Sequence, residues 1–155
     1  MAIPLLHTVV SWLLKKRVHD IELFIKYPNE VQREELTKLL QTAKNTEVGK
    51  QYGFADVQHY EDFASRVPVR TYEEIAPLIE RSRKGEQNIF WPTPIRWYAK
   101  SSGTTNAKSK FIPISNESLE DCHFKGGKDM LSLYFANNEN STLFQGKALR
   151  LGGSK

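Results

Sequence analysis

The sequence has a single cysteine, Cys122, two methionines and only nine glycines in 155 residues. One cysteine cannot close an internal disulfide, so the chain is not a disulfide scaffold and nothing ties it to an oxidising compartment. The glycine content excludes a collagen-like repeat. No long apolar run is present: the charge-free stretch from Met1 to Leu14 falls short of the ~20 residues that a spanning helix needs. Its positive charges, Lys15, Lys16 and Arg17, follow the apolar stretch, whereas a secretory signal places them before it. The expectation is a cytoplasmic protein with no membrane association.

Neither sign of charge dominates. The net charge is +4, from 22 basic and 18 acidic residues. Residues 1–26 carry 4 basic and 2 acidic side chains, residues 27–97 carry 10 and 11, and residues 98–155 carry 8 and 5. That excess is too diluted by acids for a nucleic-acid stripe. It suits a small anionic ligand near residues 100–110. Aromatic residues are plentiful, at 3 Trp, 6 Tyr and 8 Phe, which excludes a disordered chain and supplies a core.

The fold class read from the pattern is α/β, with N-terminal helices followed by strands. Pro4 opens an amphipathic helix whose apolar positions are Leu6, Val10, Leu13, Leu14, Val18, Ile21 and Ile25, ending before Pro28. Pro28 opens a second helix with Val31, Leu36, Leu39, Leu40 and Ala43 inward. Asn45, Thr46 and Gly49 break that pattern, and Gly49 to Asp56 reads as a loop. Tyr60 to Ala64 makes a turn or two of helix. Thr71 and Glu74 form a capping-box signature for a helix from Tyr72 to Gly85, which Pro77 should kink or split. Residues 1–87 are thus mainly helical. Residues 88–155 read as strand (Ile95–Ala99), loop, strand (Lys110–Ser115), helix (Asn116 to about Phe135) and final strand (Lys147–Leu151). The stripe Leu119, His123, Met130 and Tyr134 is the candidate buried face of that last helix, with Gly126 and Gly127 placed for a close backbone approach. A strand running into Gly152-Gly153 reads as interrupted, so the chain is read as the N-terminal part of a longer protein.

The chemistry concentrates in Lys100-Ser101-Ser102-Gly103-Thr104-Thr105-Asn106-Ala107-Lys108-Ser109-Lys110. Gly103 lets the backbone turn tightly and approach a ligand. The hydroxyls of Ser101, Ser102, Thr104 and Thr105 can donate to phosphate oxygens, and successive N–H groups in a turn form an anion nest. Lys108 and Lys110 add positive charge. The spacing is not that of a Walker P-loop, because position 108 is Lys where that motif needs Gly, and Phe111-Ile112-Pro113 does not open a helix. A plain polar surface loop has the same composition. His7, His19, His59 and His123 show no metal-ligand spacing with one another or with Cys122, which also lacks an identifiable base. Glu117, Glu120 and Asp121 read as a solvated helix face, and Trp91, Trp97 and Tyr98 as core residues before acyl-pocket walls.

Ser101-Ser102-Gly103-Thr104-Thr105 followed by Lys110-Phe111-Ile112-Pro113 resembles the phosphate loop of adenylate-forming enzymes. The closer resemblance is to the auxin-responsive (Gretchen Hagen) acyl acid amido synthetases. It extends to Thr46–Phe54, Val67–Tyr72, Lys84-Gly85-Glu86 and Leu151–Ser154, in order along most of the chain. Asn106-Ala107 stand where that family often has one or two glycines; asparagine tolerates positive φ better than alanine.

The resemblance implies an incomplete part of a large adenylate-forming domain. It also implies a ligase that uses ATP and Mg2+ to adenylate a small carboxylic acid, then passes the acyl group to an amino acid amine. Ser101, Ser102, Gly103, Thr104, Thr105 and Lys110 would bind the phosphates, with no certain catalytic residue in this stretch. The family's adenine-contacting segment, ribose-binding acid and C-terminal domain have no counterpart here, so the isolated chain is expected to lack ligase activity. The alternatives are a non-catalytic helical binding module and another adenylate-forming enzyme such as an acyl-CoA synthetase.

Overall fold

The computed structural model describes residues 4–101, 109–138, 141, 143 and 149. In chain order the elements are α1 (Pro4–Lys26), α2 (Pro28–Ala43), α3 (Glu47–Gln51), a 3-10 turn (Phe54–Asp56), α4 (Tyr60–Arg66), α5 (Tyr72–Arg83), β1 (Trp97–Lys100), β2 (Phe111–Ile114), α6 (Asn116–Ser118), a π-helical stretch (Leu119–Phe124) and α7 (Lys125–Asn137). Helices followed by strands are what the sequence pattern predicts. The expected final strand at Lys147–Leu151 lies outside the described residues, as do Ser102, Gly103, Thr104, Thr105 and Lys108. No described helix is long and apolar enough to cross a membrane.

The chain forms two compact units, one of Tyr27–Phe124 and one of Met1–Lys26 with Lys125–Lys155. In the second, α1 packs along α7. Leu14, Val18 and Ile21 of the expected α1 stripe are half-buried, but Leu13 and Ile25 are exposed. Arg17 donates to both carboxylate oxygens of Asp129, at 2.6 and 3.0 Å, and to Asp20 at 3.0 Å. The buried face of α7 is Ser132 and Phe135. The expected stripe is wrong, with Met130 66% and Tyr134 42% exposed. Gly126 and Gly127 do not serve a close approach either, since an added Cβ would have nothing within 4 Å.

The core of the Tyr27–Phe124 unit is Leu40, Ala43, Phe54 and Val57, with Leu36, Val48, Tyr52, Phe63, Val67 and Trp91 packed around it. Leu39, expected inward, is 49% exposed. The expected loop from Gly49 to Asp56 is instead helical at both ends, in the 3-10 turn and in α3. Fully buried Thr46 caps α3: its hydroxyl accepts the Gly49 N–H at 2.9 Å and donates to the Ala43 carbonyl at 2.7 Å. A residue that ends one helix thereby starts the next. The first free N–H groups of α3 go to the segment after α5, Glu47 to the Asn88 carbonyl and Val48 to that of Ile89, both at 3.0 Å.

The capping box at Thr71 forms as the spacing predicts. The Glu74 carboxylate accepts the Thr71 N–H at 2.6 Å and the Thr71 hydroxyl at 3.0 Å. Helix α5 runs unbroken through Pro77, so the expected split does not occur, and it ends before Gly85, whose φ of 101° suits glycine. Arg81 near its end binds Glu47 of α3 at 2.6 and 2.9 Å and also pairs with Glu86.

Candidate functional site: the β1–β2 hairpin and its support on α5

Strands β1 and β2 pair antiparallel, with Trp97 opposite Ile114, Tyr98 opposite Pro113, Ala99 opposite Ile112 and Lys100 opposite Phe111. The next pair, Ser101 and Lys110, closes the neck of the intervening segment. The Ser101 N–H donates to the Lys110 carbonyl at 2.9 Å, and the Lys110 N–H donates to the Ser101 hydroxyl at 3.0 Å. Two of the six expected phosphate-binding residues, Ser101 and Lys110, are therefore brought together; the other four lie outside the described residues.

The alternation of an antiparallel ladder fixes which groups face outward. Because Ser101 and Lys110 are a bonded pair, Lys100–Phe111 and Tyr98–Pro113 are non-bonded pairs. The N–H of Phe111 then points away from β1, and Pro113 has no N–H at the equivalent outward position. This explains how proline fits inside a strand: it sits where no ladder bond is needed.

Helix α5 supports this outer edge. The Tyr72 hydroxyl accepts the Phe111 N–H at 2.9 Å. The Arg83 guanidinium lies 3.7 Å from the centroid of the Phe111 ring, a cation–π contact. On β1, the Tyr98 hydroxyl is 2.6 Å from the hydroxyl of buried Ser82. The Lys110 ammonium lies 5.1 Å from the Tyr72 ring centroid and 3.7 Å from the Glu73 carboxylate. Lys110 thus pairs with a carboxylate while remaining reachable from solvent, with 43% of its side chain exposed.

Two expectations for neighbouring residues need correction. Glu117 is not a solvated acid. It is half-buried and accepts from the Trp91 indole at 3.1 Å and the Thr93 hydroxyl at 2.9 Å. Its own backbone N–H, with the hydroxyls of Thr93 and Ser115 and the Trp91 indole, holds its carboxyl below the ordinary value of 4.5 against the opposing effect of burial. Trp97, expected in the core, is 63% exposed, because its strand belongs to a two-stranded ribbon with one face open among the described residues. Trp91 does join the core margin. Glu120 and Asp121 are exposed as expected, with Asp121 3.6 Å from Lys38.

The depressed carboxyls set a pH dependence. A group whose folded pKa is lowered adds stability that is complete above its unfolded pKa and is lost as pH falls through the folded value. For Glu117, and for Glu74 held down by the Thr71 N–H and hydroxyl, that loss begins below about pH 4.5. Thermal melts should fall in this acid range, and Glu117→Gln, which cannot titrate, should flatten the fall. An unchanged slope would contradict the role given to Glu117.

A concavity of about 790 Å³ runs along α2 and is lined by Arg33, Leu36, Leu39, Leu40, His59 and Tyr60 among others. Its lining includes no hairpin residue. The hairpin neck brings together a hydroxyl, from Ser101, and an ammonium, from Lys110.

Residues 17–155 match the family described as GH3 family N-terminal domain. The chain belongs to the GH3 family. Among curated relatives, it is 32% identical over 142 residues to a jasmonoyl–L-amino acid synthetase of Nicotiana attenuata, covering 89% of this chain and 24% of the relative. It is 34% identical over 106 residues to an indole-3-acetic acid-amido synthetase of Arabidopsis thaliana, covering 68% and 19% respectively. Its fold matches the solved structure of the GH3.15 acyl acid amido synthetase with a TM-score of 0.70 and 27% identity, over 79% of this chain and 22% of that one. This GH3 chain therefore spans a fifth to a quarter of the length of these relatives. Tyr72 and Glu117 were not identified from sequence as site-supporting residues. The outward N–H next to Lys110, implied by strand parity, is the signal that finds Tyr72.

Proposed function

We propose that the whole protein is an ATP-dependent acyl acid amido synthetase, and that this chain is the N-terminal portion of its adenylate-forming domain and carries the phosphate-binding segment. The observation supporting this most strongly is GH3 membership over residues 17–155, a span that takes in the whole segment from Lys100 to Lys110. The neck hydrogen-bonded at Ser101 and Lys110 adds to it, since it holds both ends of a sequence rich in hydroxyls.

In the proposed reaction a carboxylate oxygen of a small acid attacks the α-phosphorus of ATP. The new O–P bond forms as the bond to the β-phosphate bridge breaks, and pyrophosphate leaves. An amino acid amine then attacks the acyl carbon; the C–N bond forms, AMP departs, and the nitrogen loses a proton. Catalysis of this kind is chiefly positioning and charge stabilisation. Ser101, Ser102, Thr104 and Thr105 would donate hydroxyls to phosphate oxygens, and Gly103 would let the backbone come close. Ser101 uses an acceptor lone pair for the Lys110 N–H, and that bond does not occupy its O–H. Lys110 would exchange Glu73 for a phosphate oxygen. Mg2+ would neutralise charge between the phosphates of bound ATP. The groups at the neck, a hydroxyl and an ammonium, fit phosphate oxygens, so the cation would arrive on the nucleotide.

The whole protein should turn over ATP, a carboxylic acid and an amino acid into AMP, pyrophosphate and an amide. Mass spectrometry of products from a panel including jasmonate and indole-3-acetate tests this, since relatives carry both acyl groups in their names. A thioester with coenzyme A, and no amide with any amino acid, would replace the reading with an acyl-CoA synthetase.

A further inference from the structure

We infer that Tyr72 is the positioning residue for Lys110, acting through both its hydroxyl and its ring; the inference rests on the phosphate-binding role proposed above for Lys110. Strand β2 presents one outward N–H beside that lysine, from Phe111, because Pro113 has none at the next outward position. An outward strand N–H ordinarily goes to water or to another strand. Here it goes to the Tyr72 hydroxyl at 2.9 Å, which fixes the peptide joining Lys110 to Phe111. The same tyrosine sets its ring 5.1 Å from the Lys110 ammonium. With the Glu73 carboxylate at 3.7 Å, the ring face confines the ammonium beside the neck before any phosphate arrives. Tyr72 itself is fixed as the first residue of α5, inside the Thr71–Glu74 capping box.

Each half of the contact has its own variant. Tyr72→Phe keeps the ring and removes the acceptor, whereas Tyr72→Leu removes both. In acid-dependent ATP–pyrophosphate exchange by the whole protein, Tyr72→Phe should raise KM for ATP about five-fold, the worth of one hydrogen bond, and Tyr72→Leu more. Adding Lys110→Ala to either variant should cost less than Lys110→Ala costs alone, because the two residues act as one unit. Hydrogen exchange at the Phe111 amide should quicken in Tyr72→Phe. A merely structural tyrosine would lower the melting temperature and give additive effects with Lys110→Ala. Additivity, or an unchanged KM in a folded Tyr72→Phe, overturns the inference while leaving the function intact. If Tyr72→Leu does not fold, the Tyr72→Phe cycle decides alone. Absence of exchange in the unaltered protein overturns the function and this inference with it.

Discussion

Gly49→Ala is expected to destabilise the Tyr27–Phe124 unit by about 3 kcal/mol or more, at the upper end of overpacking effects. Gly49 is buried in α3, and its Cα faces the end of α2. A Cβ there would overlap the Ala43 carbonyl oxygen and come within 2.9 Å of the Ala43 carbonyl carbon and 3.0 Å of that of Lys44. These are backbone atoms and cannot swing aside as a side-chain tip would. The Ala43 oxygen is also committed: it accepts the Thr46 N–H at 2.9 Å and the Thr46 hydroxyl at 2.7 Å. Moving it would break the cap that starts α3 and disturb the bonds from Glu47 and Val48 to Asn88 and Ile89. Denaturant unfolding measures the loss. A variant within about 0.5 kcal/mol of the parent, the usual range for surface changes, would contradict this packing.

Gly103→Val is expected to lower kcat/KM for ATP on the order of 100-fold in the whole protein, the scale set by displacing a reacting group by about 1 Å. Gly103 lies outside the described residues, and its proposed role rests on glycine's access to tight turns and close backbone approach. A branched Cβ would keep the backbone N–H groups from the phosphates. Thr104→Ala should cost less, on the order of 10-fold, since it removes one hydroxyl donor to a charged group. Melting temperatures close to the parent's would assign both losses to the site. Unchanged kinetics in both variants would remove the segment from the phosphate-binding role.

The sequence disclosed those features that depend on local chemistry. The capping box at Thr71, the glycine after α5 and the two extended segments flanking the hydroxyl-rich sequence are set within a few residues each, and all appear where the pattern puts them. Features that depend on distant partners were not legible. Thr46 reads as a helix breaker until its second role as a cap is seen. Glu117 reads as a surface acid because the Trp91 and Thr93 donors lie more than twenty residues away. Leu39 and Met130 fit the helical period yet point outward, since periodicity names a face without saying what covers it. At the candidate site, Ser101 and Lys110 were named from sequence and meet at the neck, whereas their support by Tyr72 needed the strand register.

The most direct test is acid-dependent exchange of labelled pyrophosphate into ATP by the whole protein, across a panel of small carboxylic acids. Exchange that requires a particular acid and falls in Gly103→Val is the predicted result, and it would establish adenylation and locate the phosphate loop together. No exchange with any acid in the panel, from a folded protein, would contradict the adenylating function and point to a GH3 fold used for binding.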